Sequence, residues 1–283
     1  MSPSERLAVA ARAASRWGLP EPTLLHEGTT AVYAAGDDAV LRVGPLPFGG
    51  DGEVAFHHRL RQAGVRVPAI VRPPLELDGD AVLAIERVHG SGDVDWAAVG
   101  AMVRRVHALD AADWPGLRRC VDFPHWQIDV LLDDVRDELD DSARRGMLAT
   151  LDGWQGWQAE AMHEPVLCHG DVHPGNVVQS SDGPVLLDWD LRCLGPAAWD
   201  HAPLMAWGER WDGEPEWYDA FAEGYGINLR GEWLAECLAD LRNLVATLMR
   251  VRVGRTDAAA AAEAERRLRY WRGDPEAPRW TPA

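Results

Sequence analysis

The pattern of apolar and polar positions divides the chain into a strand-rich beginning and a helix-rich remainder. Residues 4–17 have helical spacing, with Ser4 as candidate N-cap and Pro20 and Pro22 to end the helix. Short apolar runs at 23–27, 31–35 and 39–43 are separated by Gly28-Thr29-Thr30 and Gly36-Asp37-Asp38, which predicts an antiparallel meander. A helix over 53–63 follows, then strands over 65–71 and 81–85 around the turn 77–80. From Trp96 onward apolar residues recur every three or four positions. Helices are predicted over 96–109, 126–139, 142–160, 197–207, 216–225, 232–253 and 257–271, and 274–283 reads as a loose tail. The change of pattern puts a boundary near residue 89, with one domain over 1–89 and a second over 90–283.

One stretch interrupts the helical pattern: residues 165–188, PVLCHGDVHPGNVVQSSDGPVLLD. It predicts a strand over 165–168, a loop over 169–175, and a hairpin with strands 176–179 and 184–187 around Ser180-Ser181-Asp182-Gly183. Antiparallel pairing brings Asn176 and Asp188 together at the ends of the hairpin, with Asp171 just before them on the loop. Two oxygen ligands beside a third carboxylate are what a magnesium-assisted phosphoryl transfer requires. The spacing from Asp171 to Asn176 is the D-x-x-x-x-N of kinase catalytic loops. His169 and His173 have the look of metal ligands, but Mg2+ prefers oxygen, so their expected task is to hydrogen-bond the loop backbone.

Composition narrows the classes. The chain has 283 residues, 47% hydrophobic and 26% charged, enough for one large or two modest domains with real cores. No run of about 18 apolar residues occurs. The first residues lack the apolar core of a signal peptide, so a cytoplasmic protein with no membrane partner is expected. Cys120, Cys168, Cys193 and Cys237 are spaced like neither a zinc site nor a disulfide framework. The net charge of −17 repels nucleic acid and attracts a cationic small molecule. There is no lysine, so any cation that grips phosphate must be arginine.

The run His169-Gly170-Asp171-Val172-His173-Pro174-Gly175-Asn176, followed by Leu187-Asp188-Trp189-Asp190 and by Gly195-Pro196…Asp200, resembles the aminoglycoside phosphotransferase/choline kinase-like family. The resemblance spans most of the chain and is most specific over 165–201. It implies an α+β, bilobal protein-kinase-like fold, with an antiparallel-sheet nucleotide-binding lobe and a mostly helical catalytic and substrate-binding lobe. It implies Asp171 as the catalytic aspartate and Asn176 and Asp188 as Mg2+ ligands. Arg42 takes the place of the phosphate-gripping base, paired with Glu53. Thr29 and Thr30 line the phosphates, and Glu86 to Val88 form the hinge that binds the base of ATP or GTP. Asp200 begins the next helix and braces the loop. It is also grouped with Glu209, Asp212 and Trp217 as carboxylates and aromatics that suit an amine-bearing acceptor.

The reaction so implied is Mg-dependent transfer of the nucleotide γ-phosphate to a hydroxyl of a small, cationic molecule, an aminoglycoside-like antibiotic first. Choline, ethanolamine or homoserine are the alternatives within the same chemistry, and a nucleotide-binding pseudokinase or scaffold is the alternative from another class. A protein kinase is disfavoured: Gly195-Pro196 follows Asp188 within eight residues, and no A-P-E occurs.

Overall fold

Helix α1 (Pro3–Trp17) starts on Ser2 rather than Ser4, because Ser2 and Glu5 cap each other. The Ser2 hydroxyl accepts from the Glu5 N–H at 3.4 Å and Glu5 Oε2 accepts from the Ser2 N–H at 2.6 Å. Pro3 then sits at the first helical position, where a missing N–H is harmless. The computed structural model describes residues 2–282 apart from 29, 78 and 91. Its chain forms two compact units, Met1–Asp95 with Val177–Leu187, and Trp96–Asn176 with Asp188–Ala283. The expected boundary near residue 89 therefore differs in two respects. The first unit runs on to Asp95, and it takes in the hairpin that had been grouped with the second. Bonds that tie that hairpin to the rest of the first unit include Leu186 N–H to the Arg66 carbonyl at 2.9 Å, Arg66 Nη2 to Ser180 Oγ at 3.3 Å, and Asp95 N–H to Gln179 Oε1 at 3.0 Å.

The first unit continues with β1 (Thr23–Glu27), β2 (Ala31–Ala35), β3 (Ala39–Gly44), α2 (Gly49–Gln62), β4 (Ile70–Leu77) and β5 (Asp80–Glu86). The five strands form one antiparallel sheet in the order β1-β2-β3-β5-β4. Its core joins Val9, Ala10, Ala13 and Ala14 of α1 to Ala31, Tyr33, Leu41, Val43, Val82 and Ala84 of the sheet. The alanine face of α1 lets helix and sheet approach closely. Tyr33, 1% exposed, fills the largest share of that core, and its truncation to alanine costs about 3 kcal/mol. The strand expected over 65–71 forms instead over 70–77 and contains Pro73-Pro74, with its register shifted between Arg72 and Leu75. Proline cannot donate to a ladder, and it is tolerated here because β4 is an edge strand.

The second unit contains α3 (Trp96–His107), α4 (Ile128–Asp134), α5 (Asp141–Gly153), α6 (Trp157–Glu160) and β6 (Val166–Cys168). After β7 (Val177–Ser180) and β8 (Gly183–Leu186), which are the hairpin of the first unit, it resumes with β9 (Cys193–Gly195), α7 (Ala198–Arg210), α8 (Pro215–Tyr225), α9 (Trp233–Gly254) and α10 (Ala258–Trp271). The helix expected over 126–139 ends at Asp134, and that expected over 142–160 is interrupted after Gly153, with Gly156 at φ of 85° before the short α6. Asp140 caps α5 by accepting from the N–H groups of Ser142 and Ala143. Helices α3 and α8 touch backbone to backbone. A Cβ on Gly100 would lie 2.0 Å from the Phe221 carbonyl, and one on Gly224 1.8 Å from that of Ala97. Every residue of α7 from Ala198 to Gly208 is buried, the polar Asp200 and His201 included. The C-terminal segment is docked rather than loose. Trp280 is fully buried, and its N–H donates to the Arg210 carbonyl at 2.8 Å. Among the described residues, no helix is long and apolar enough to cross a membrane.

Candidate active site

Strand β6 pairs antiparallel with the three-residue β9, Cys168 against Cys193, and delivers the chain into the loop 169–176. The first two N–H groups of that loop converge on one carboxylate: His169 and Gly170 donate to Asp200 at 2.8 and 2.7 Å. Gly170 is obligatory, with φ of 95° and the Leu191 carbonyl 1.9 Å from where a Cβ would sit. His107 Nε2 lies 3.0 Å from Asp200, and its Nδ1 lies 2.9 Å from the Tyr225 hydroxyl. Asp200 is completely enclosed. Burial pushes its carboxyl up, but the bond and charge of His107, with His169 and the Gly170 N–H, outweigh this and hold it below the ordinary carboxylate range. Its expected part as brace is what this geometry performs. Its expected part as an acceptor-facing group is not, since no face of the carboxylate is open to a ligand.

Asp171 follows, with a side chain 21% exposed. Arg242 of α9 donates from Nη1 to Asp171 Oδ1 at 2.7 Å and from Nη2 to the Gly170 carbonyl at 2.8 Å. Asn176 Nδ2 donates to the Asp171 carbonyl at 3.0 Å and to its Oδ2 at 3.1 Å. His173 Nε2 stands 3.2 Å from the same oxygen. Burial pushes the Asp171 carboxyl up. The neighbouring His173, Arg242 and His169 prevail and hold it well below the usual range, so it is ionised at neutral pH. The two loop histidines accept from backbone as expected: His169 Nδ1 from the Asp171 N–H at 3.2 Å, His173 Nδ1 from the Gly175 N–H at 3.0 Å. The His173 ring stacks on Trp207 at 4.7 Å and 7°, and Trp207 stacks on Trp211 at 4.8 Å and 12°.

Asn176 closes a one-turn 3-10 segment instead of opening the strand, and the ladder begins with Val177 opposite Leu186. Asp188 adopts φ of 52°, the one positive φ at a non-glycine among the described residues. Such strain persists where the surroundings impose it and clusters at functional sites. A hard cation suits these two side chains. The Asn176 amide nitrogen is spent on Asp171, which leaves its oxygen to coordinate, and Asp188 is an exposed carboxylate.

The remaining expected residues lie in the first unit. Arg42 sits on β3, opposite Val32 and Leu83. Glu53 is 2% exposed on α2, and its Oε1 accepts from the Phe48 N–H at 3.4 Å. The Thr30 side chain packs over Gly44; Thr29 lies outside the described residues. Glu86 and Val88 line a cavity of about 520 Å3 with Arg61, Arg66 and His89. The Glu86 carboxylate accepts from the Ala69 N–H at 3.2 Å.

A larger cavity, about 720 Å3, opens within the second unit beside Asp171 and His173. Trp207, Trp211 and Trp217 line it, as do Arg242, Arg250 and Arg267. Asp212 and Trp217, two of the expected acceptor-facing residues, are in this lining, and Asp212 Oδ1 accepts from Trp207 Nε1 at 3.2 Å. Glu209 is not. Its side chain is 54% exposed and faces Arg230 at 3.7 Å. The residue that the sequence concealed is Arg242. It is one of 28 arginines, 71 positions from its partner, and no local spacing marks it.

The sequence matches the family model described as the phosphotransferase enzyme family over residues 23–235. No curated protein matches it. Among solved structures it is similar to spectinomycin phosphotransferase APH(9)-Ia in complex with ADP and spectinomycin, at 14% identity over 93% of each chain with a TM-score of 0.67. It is similar also to the GDP and kanamycin complex of APH(2'')-IIIa, at 16% identity over 95% of this chain and 99% of that one, TM-score 0.69. A choline/ethanolamine kinase family protein from Mesorhizobium loti gives 18% identity over 96% of each chain, TM-score 0.65. These likenesses show that the fold is the α+β kinase-like fold of those proteins.

Proposed function

The chain belongs to the phosphotransferase enzyme family and is a small-molecule phosphotransferase, and we propose that it moves the γ-phosphate of ATP or GTP, with Mg2+, onto a hydroxyl of a small acceptor. One observation carries this reading. The ionised Asp171 carboxylate lines the 720 Å3 cavity and is held from three sides by Arg242, Asn176 and His173. A carboxylate so held accepts a hydrogen bond from an acceptor hydroxyl and aims its oxygen. In a loose transition state that aim matters more than removing the proton beforehand. Asn176, through its amide oxygen, and Asp188 would hold the cation. Bound there, Mg2+ neutralises charge on phosphate oxygens. Arg42 with Glu53, Thr30, and the backbone of Glu86 to Val88 are the proposed nucleotide-binding residues of the first unit. A cytoplasmic enzyme has both nucleotides at hand.

Antibiotic-type acceptors enter the test first, because spectinomycin and kanamycin are bound in two of the similar solved enzymes. The acidic surroundings expected for an amine-rich acceptor have shrunk, since Asp212 is the one carboxylate besides Asp171 among the described lining residues. The test is a mass-shift screen with ATP or GTP and Mg2+ over spectinomycin, kanamycin, choline, ethanolamine, homoserine and hydroxy acids. One acceptor should gain a phosphoryl group. Asp171→Ala should slow that gain by roughly 10^2- to 10^4-fold while nucleotide still binds. Nucleotide binding with no acceptor phosphorylated would favour the scaffold reading.

A further inference from the structure

Three guanidiniums line the cavity beside Asp171, and two of them are answered by carboxylates. Arg242 meets Asp171 at 2.7 Å, and Arg267 meets Glu263 at 3.0 Å. The third, Arg250, stands two turns along α9 from Arg242, on the same face, and is partly buried. Among the described residues, no hydrogen bond or ion pair engages it. Its charge is felt inside the cavity. Burial lowers the Arg267 pKa, Glu263 opposes that, and the Arg250 charge adds to the lowering. Removing a cation from water without a partner is costly, and a binding cavity is where a ligand offsets that cost. The rest of the wall is flat and aromatic, with the stacked Trp207 and Trp211 beside His173.

A polyamine is a poor fit to this lining. It would meet three guanidiniums and two carboxylates. Asp171 is already paired with Arg242, and Asp212 already accepts from Trp207. The chain carries −17 overall, yet its lining at this point is net positive. We propose that Arg250 reads an anionic group on the acceptor. The acceptor is then a hydroxyl compound with a flat or sugar-like body for the tryptophans and a carboxylate, or an anion of like size, for the Arg250 fork. A guanidinium grips such a group through two parallel N–H bonds. The inference rests on the preceding reading in taking the Asp171 cavity as the acceptor site.

The experiment uses a matched pair of probes, para-nitrophenyl β-glucuronide and para-nitrophenyl β-glucoside, which differ in a carboxylate against a hydroxymethyl. Kanamycin is the polyamine arm and ADP the phosphate arm. Binding is followed by quenching of tryptophan fluorescence, without phosphoryl transfer. Wild type should bind the glucuronide about 10- to 100-fold more tightly than the glucoside. Arg250→Gln should bring that ratio close to one, Arg250→Lys should restore part of it, and both should bind ADP as wild type does. Equal affinity for the two probes, no binding of the glucuronide, or tighter binding of kanamycin overturns the proposal. So does an Arg250→Gln variant that loses ADP instead of the glucuronide, since the arginine would then serve the nucleotide. A protein that shows the predicted preference but phosphorylates nothing would count against the phosphotransfer reading and leave the role of Arg250 standing.

Discussion

The loop 169–176 and the wall of helices α7, α9 and α10 both belong to the second unit and both face the same cavity, but they are built differently. The loop is wired at short range. His169 and His173 each accept from an N–H two residues on, and Asn176 reaches back five residues to Asp171. A longer link, to Asp200, fixes its start. The wall is wired at long range. Arg242 meets Asp171 across 71 positions and Trp211 donates to Asn243 across 32. The docked Trp280 closes it from the end of the chain, in a T-shaped contact with Trp211 at 5.5 Å. The difference teaches that the part proposed to perform the reaction is specified locally, and the part proposed to choose the acceptor is specified by packing.

Substitutions can break or sharpen that contrast. The largest effect is expected at the anchor of the loop. Asp200→Ala leaves two buried N–H groups and His107 without their acceptor, which should cost about 3–5 kcal/mol in denaturant unfolding. A loss under about 1 kcal/mol would mean that the loop holds its shape without the wall. Next comes the bond that joins the two regions. Arg242→Met should lower kcat about tenfold by freeing the Asp171 carboxylate, with the nucleotide Kd unchanged. An unchanged kcat would reduce Arg242 to a packing role.

The smallest effect belongs to the wall alone. His201 of α7 shares a hydrogen bond with the Tyr218 hydroxyl, and its buried Nε2 has no hydrogen-bond partner among the described residues. Burial pulls its pKa down from 6.5 to about 4. Between those values the unfolded chain takes up a proton that the folded one refuses, so stability falls as pH drops from 6.5 to 4, by about 1 kcal/mol per pH unit. His125 is shifted the same way, chiefly by burial. Melting temperatures measured across that window should therefore decline, and His201→Gln should flatten part of the decline. A variant that melts in parallel with wild type at every pH would remove His201 from the account.

Much of the candidate site is legible in the sequence because its residues sit close together in the chain. Asp171, Asn176 and Asp188 stand on one loop–hairpin segment, and their chemistry follows from which side chains offer oxygen. The misread elements fail for a physical reason each. The start of α1 depended on reciprocal capping by Ser2, not on apolar spacing. Strand β4 carries two prolines that only an edge position excuses. Strand β9, where the apolar pattern predicts no strand, is three residues long and exists through its pairing with β6. The final segment reads as polar and proline-rich, yet Trp280 buries it.

The block at 165–188, which first stood out as a hairpin with three polar groups, was enough by itself to determine the class of reaction, because spacing over a few residues sets which groups share a loop. The electrostatics of the cavity beside Asp171 were decided by tertiary structure alone. A net charge of −17 is an average over the whole surface, and it pointed to a cationic ligand. Field inside a cavity depends on the few charges that line it, and packing brought Arg242 and Arg250 of α9 and Arg267 of α10 to that lining, beside an Asp171 that stands 71 or more positions earlier in the chain, while enclosing Asp200 and leaving Glu209 outside.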